Sequence, residues 1–183
     1  MLSREQLAEW FPGGDVEVYP PTALPDDVTD GGLRILLTEV GLPESFIGVV
    51  ELGAPRNKIR TIGESFERVG EKAPEGAEDL LHLGLSGSRM LGVDRHSGHV
   101  LEADEDFGVR PLNSSLESFL RVLGFVSVEV EEFWSGDGDD VLKFADDLRA
   151  RTMELLPTVD PAVMPAAGPA WSRLLDNVSE ALT

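Results

Sequence analysis

The chain has 183 residues and no cysteine, and its 34 acidic against 15 basic residues give a formal net charge of −19. Without thiols, a disulfide framework, a thiolate zinc site and a cysteine nucleophile are all excluded. The charge opposes direct contact with nucleic acid or an anionic membrane surface, because no Lys/Arg patch offsets the long-range repulsion.

In chain order, Ser3 and Gln6 have capping-box spacing, and Leu7, Trp10 and Phe11 follow at helical intervals, so a short first helix is expected to stop at Pro12-Gly13-Gly14. Three prolines between Tyr19 and Pro25 suggest an extended surface connection. Asp30 is placed as an N-cap for a helix carrying Leu33, Leu36, Leu37 and Val40, with Gly41 and Pro43 as its stop. Phe46 to Leu52 reads as a strand and Ile59 to Ile62 as a weaker one. Arg68 to Glu78 is charged and broken by Gly and Pro, which predicts an exposed loop.

A run of strands comes next. Leu80–Leu85 and Arg89–Asp94 are joined by Ser86-Gly87-Ser88, and His99–Ala103 follows the turn Arg95-His96-Ser97-Gly98. Asn113 or Ser114 then caps a helix with Glu117 in capping-box position and a stripe of Leu116, Phe119, Leu120 and Leu123. From Val126 to Val130 the pattern fits a strand by alternation and a helix by its spacing to Phe133. Asp139 or Asp140 opens another helix with Leu142, Phe144, Leu148, Met153 and Leu155. After a Pro-rich stretch, Trp171, Leu174, Leu175 and Val178 make a final amphipathic helix. Strands grouped before helices predict an α+β fold: a mostly antiparallel central sheet with a β-meander core, flanked by helices, in one domain over residues 1–183.

Motifs that would carry chemistry are weak. His96 and His99 could share a metal on a helix, with Asp94 and Glu102 as further ligands, but they fall across a turn and read as its polar decoration. His82, in a strand, reads as packed or hydrogen-bonded. Gly84-Leu85-Ser86-Gly87-Ser88 fails the nucleophile-elbow pattern at its last position. Gly136-Asp137-Gly138-Asp139-Asp140 fails as a calcium loop, because Val141 and Leu148 stand where ligands are needed. No enzyme, cofactor or metal is expected. The first residues hold no apolar run of signal-peptide length and no stretch approaches the ~20 apolar residues that span a bilayer, so a cytoplasmic location is expected.

Two acidic clusters remain as candidate surfaces for a basic protein partner: Glu102, Asp104, Glu105 and Asp106, then Glu129, Glu131 and Glu132 with Asp137, Asp139 and Asp140. Opposite fields accelerate such encounters by about 10–10³-fold.

Thr38-Glu39-Val40-Gly41-Leu42-Pro43, Val93-Asp94-Arg95-His96-Ser97-Gly98-His99-Val100 and Leu112-Asn113-Ser114-Ser115-Leu116-Glu117-Ser118-Phe119-Leu120 occur in that order, followed by Asp160-Pro161-Ala162 and Trp171-x-x-Leu174-Leu175. Together they resemble the fourth subgroup of the SUKH superfamily, bacterial immunity proteins related to a fungal cell-wall synthesis regulator. The resemblance spans roughly residues 5 to 180. It implies a helix-flanked sheet that neutralises a cognate polymorphic toxin by direct binding, such toxins commonly being basic nucleases or nucleic-acid deaminases. It brings no catalytic residue with it, and it also admits a second role, a regulatory adaptor of the same fold.

Overall fold

The computed structural model describes residues 1–12, 15–53, 58–104, 108–136, 140–163 and 166–183. Helix α1 (Arg4–Trp10) starts as its capping box predicts: Gln6 N donates to Ser3 Oγ at 3.2 Å and Ser3 N to Gln6 Oε1 at 3.0 Å. Strand β1 (Val16–Glu17) follows. The Tyr19–Pro25 stretch lies on the surface only in part: Pro20, Pro21 and Thr22 are exposed, whereas Tyr19, Ala23 and Leu24 are buried around a 3-10 turn at Pro21–Ala23.

Asp30 caps α2 (Gly31–Ile35) by accepting from Leu33 N, and the helix runs on into a π-helical turn over Leu36–Val40. Gly41 ends it at φ 98°, where a Cβ would lie 2.5 Å from the Glu17 carbonyl oxygen. That close approach lets β2 (Leu42–Pro43) pair antiparallel with β1.

The stretch expected as one strand from Phe46 to Leu52 is a hairpin of β3 (Ser45–Phe46) and β4 (Val50–Leu52). Its turn holds Ile47 at φ 51° and Gly48 at φ 68°. Positive φ at both central residues is the geometry of a tight hairpin turn, and a β-branched residue there is an outlier, so composition does not announce it. The weaker strand expected at Ile59–Ile62 is reduced to one bridge between Thr61 and Leu81, because Thr61 caps α3 (Ile62–Glu67) in a capping box with Glu64.

Four strands complete the sheet: β5 (Leu81–Ser86), β6 (Arg89–Val93), β7 (Val100–Asp104) and β8 (Gly108–Asn113). The six strands run antiparallel in the order β3-β4-β5-β6-β7-β8, which puts the expected meander at the centre. β8 was not expected, and Pro111 is tolerated in it because it is an edge strand. One face of the sheet, with Leu81, Leu83, Leu91, Val93, Val100 and Leu112, belongs to the main core. The other meets a smaller cluster beneath α3, where Ile62, Phe66, Ala73, Ala77 and Leu80 gather with Ala103.

The long helix α4 (Leu116–Ser135) settles the ambiguity at Val126–Val130 in favour of helix. Its cap is Ser115, whose Oγ accepts from Ser118 N at 3.1 Å, and not Asn113 or Ser114. Glu117 makes no capping box. It meets Arg121 at 2.7 Å and the Met1 amino group at 3.3 Å. Burial pushes its carboxyl up, but these two cations outweigh it and hold it below the usual range. Asp140 caps α5 (Val141–Val159), whose inner face is Leu148, Thr152 and Leu156, while Leu142 is 70 % exposed. Helix α6 (Gly168–Leu182) buries Trp171, Leu174, Leu175 and Val178 as expected.

One buried polar network joins these parts. Asp160, only 1 % exposed, accepts from Asn113 Nδ2 at 3.0 Å and from Ser114 N and Oγ, each at 2.6 Å. Trp171 Nε1 donates to Leu112 O and Asn113 Oδ1, both at 3.2 Å. Asn113 and Ser114 are therefore occupied by α5 and α6, which leaves the capping of α4 to Ser115.

Candidate functional site

The first acidic cluster does not form an open face. Strand alternation turns Glu102 toward the helices, where it is 4 % exposed and ion-paired with Arg173 of α6. Arg110 stands opposite it on β8. Asp104, two residues on, meets Arg89 Nε at 3.0 Å. Glu105 and Asp106 lie outside the described residues.

The second cluster divides. Glu129 is tied to Arg151 of α5 at 2.6 Å. Glu131 and Glu132 are exposed, and so is Asp140, whose Oδ1 accepts from Lys143 N at 3.0 Å. Asp137 and Asp139 lie outside the described residues. Beside these carboxylates the sequence reading missed an apolar feature. Trp134 is 57 % exposed, its ring against Phe133 with centroids 5.4 Å apart, and Phe133 stacks on Phe144 of α5 at 4.2 Å. The available signal was the helical spacing Ser127, Val130, Glu131, Trp134, which continues the inner stripe of α4 to its last turn. A cleft of about 240 Å³ opens at that end of the helix, lined by Phe11, Pro12, Phe46, Ile47, Val130 and Glu131 among others.

His96 and His82 are held structurally, while His99 is exposed and bonds through its backbone N–H to Ser97 Oγ at 3.4 Å. Asp94 Oδ1 accepts from His96 N at 2.8 Å and Ser97 N at 2.7 Å, and His96 Nδ1 lies 3.1 Å from Thr29 Oγ1. Partial burial pushes the Asp94 carboxyl up, but those two N–H donors outweigh it and leave it lowered. His82 Nδ1 is 3.0 Å from Ser65 Oγ and its Nε2 3.1 Å from Gly84 O. Burial lowers the His82 pKa, opposed by the Gly84 carbonyl. In the neutral ring Nε2–H donates to Gly84 O and Nδ1 accepts from the Ser65 hydroxyl, whose oxygen also lies 3.0 Å from Thr61 O, so the ring is fixed at both nitrogens. Among the described residues no group of three or more His, Asp or Glu is placed to hold a metal ion, and no helix is long and apolar enough to cross a membrane.

The fold is α+β, and where α4 ends and α5 begins it exposes carboxylates beside an uncovered tryptophan. The family model described as SUKH-4 immunity protein matches residues 2–177, so the chain belongs to the SUKH-4 immunity protein family, in agreement with the resemblance read from its motifs. Membership gives it an immunity function, exercised on a protein partner. No curated protein and no solved structure shows significant similarity to the chain.

Proposed function

We propose that this chain binds and neutralises a cognate bacterial polymorphic toxin in the cytoplasm, acting as a single domain with no catalytic step of its own. The toxin domain is basic, a nuclease or nucleic-acid deaminase, and acidic surface complementarity drives its capture. The observation that carries this reading is a net charge of −19 on a member of an immunity family. Enzymes that act on polyanions present cationic clefts, and an acidic inhibitor occupies the same field that draws the substrate. Glu131, Glu132 and Asp140 are exposed and supply such charge at one end of the α4–α5 pair.

The test is co-expression with the toxin domain encoded in the neighbouring reading frame. Growth should be restored, and the two chains should co-purify as a stable complex. Restored growth without any physical complex refutes neutralisation by binding.

A further inference from the structure

We infer that the cleft between the end of α1, the β3–β4 turn and the last turns of α4 is the pocket that receives a lysine or arginine side chain of the toxin, with Trp134 as the apolar anchor beside it. This inference rests on the immunity reading above and adds to it where the toxin docks and by what chemistry.

Three observations converge on this place. The inner stripe of α4 is buried at Leu123, Ser127 and Val130, but its next member, Trp134, is 57 % exposed with no described residue covering its outer side. A helix stripe that outruns the body leaves a large amphipathic ring in water, and exposed rings of this kind mark contact sites on partners. At its foot lies the cleft of about 240 Å³, walled by Phe11, Pro12, Phe46, Ile47 and Val130. Ile47 forms its part of the wall from φ 51°, a conformation that strains a β-branched side chain and that tends to be kept where function needs it.

Charge selects the occupant. Glu131 lines the cleft, and its carboxylate has no ion-pair or hydrogen-bond partner among the described residues, whereas Glu129 two positions earlier is paired with Arg151. A purely apolar guest would strip water from Glu131 and return nothing. A lysine or arginine lays its methylenes along Pro12 and Ile47, the apolar residues of the lining that are open to solvent, and brings its head to the carboxylate in a charge-assisted hydrogen bond. Nucleic acid and anionic lipid are opposed by the net charge of −19.

The experiment uses the full chain and the purified, catalytically inactivated toxin domain encoded beside its gene. Of the three tryptophans, Trp171 is fully buried and Trp10 is partly buried against Gly124, so Trp134, at 57 % exposure, is the ring most open to acrylamide. Complex formation should shift its emission to the blue and shield it from quenching. Glu131→Gln and Trp134→Ala, both at exposed positions, should each weaken affinity about tenfold or more with unchanged melting, whereas Val69→Ala, exposed at the end of α3, should change it by less than about threefold. If the wild-type chain binds while both variants stay within about threefold and Trp134 remains open to quencher, the pocket is refuted and the immunity reading stands. If the wild-type chain does not bind, the immunity reading fails and the pocket fails with it.

Discussion

Replacing Asp160 with alanine removes the acceptor at the centre of the network that joins β8, α4, α5 and α6. Three donors lose their partner at once: Asn113 Nδ2, Ser114 N and Ser114 Oγ. Hydrogen bonds to a charged group contribute about 1.5–3 kcal/mol each, so their sum, about 5–9 kcal/mol, is an upper bound. The Ser114 hydroxyl is free to rotate to another acceptor and water enters part of the space, which brings the expected loss to about 3–5 kcal/mol. For a chain of this length that corresponds to roughly 10 °C in Tm. Asp160→Asn retains one acceptor and should lose about half as much. Urea unfolding followed by Trp171 emission measures the change, and a double-mutant cycle with Asn113→Ala should show coupling of about 0.5–3 kcal/mol. A loss below about 1 kcal/mol for Asp160→Ala would refute the network as a structural joint.

Arg173→Ala leaves the Glu102 carboxylate buried without its main partner. Arg110 opposite softens the penalty, so we expect about 2–3 kcal/mol in chemical denaturation, below the 3–5 kcal/mol of an isolated buried charge. Gly124→Ala gains about 1 kcal/mol of helix propensity but puts a methyl 2.4 Å from the Trp10 ring; overpacking of about 1–3 kcal/mol should make the variant less stable, with α1 displaced. Because burial holds the His82 pKa below its unfolded value near 6.5, the native chain refuses a proton that the unfolded chain takes, and stability falls as pH drops below about 6.5 until the folded pKa is passed. His82→Asn should lose that part of the dependence in urea midpoints taken between neutral and mildly acidic pH, and identical profiles would contradict it.

Much of the scaffold is legible in local signals, because caps and alternation act within a few residues. The Ser3 box, the Asp30 cap, the central meander and the Trp171 helix are all of this kind. What escapes the sequence is decided at long range or by strain. No composition marks Ile47 as the turn that splits one apolar run into a hairpin. β8 is masked by Arg110 and Pro111, and it is a strand because β7 lies beside it. Glu102 reads as part of an acidic surface until Arg173, 71 residues away, comes to meet it. Trp134 had a readable helical spacing, but its exposure depends on where neighbouring elements end, which no local pattern states.

Recognition by negative surface potential is tested most directly by stopped-flow association of the chain with its toxin domain over a range of ionic strength. Raising salt from about 0.01 M to 0.15 M shortens the Debye length from about 30 Å to 8 Å, so the association rate should fall steeply while dissociation changes little. An association rate independent of salt would contradict the account.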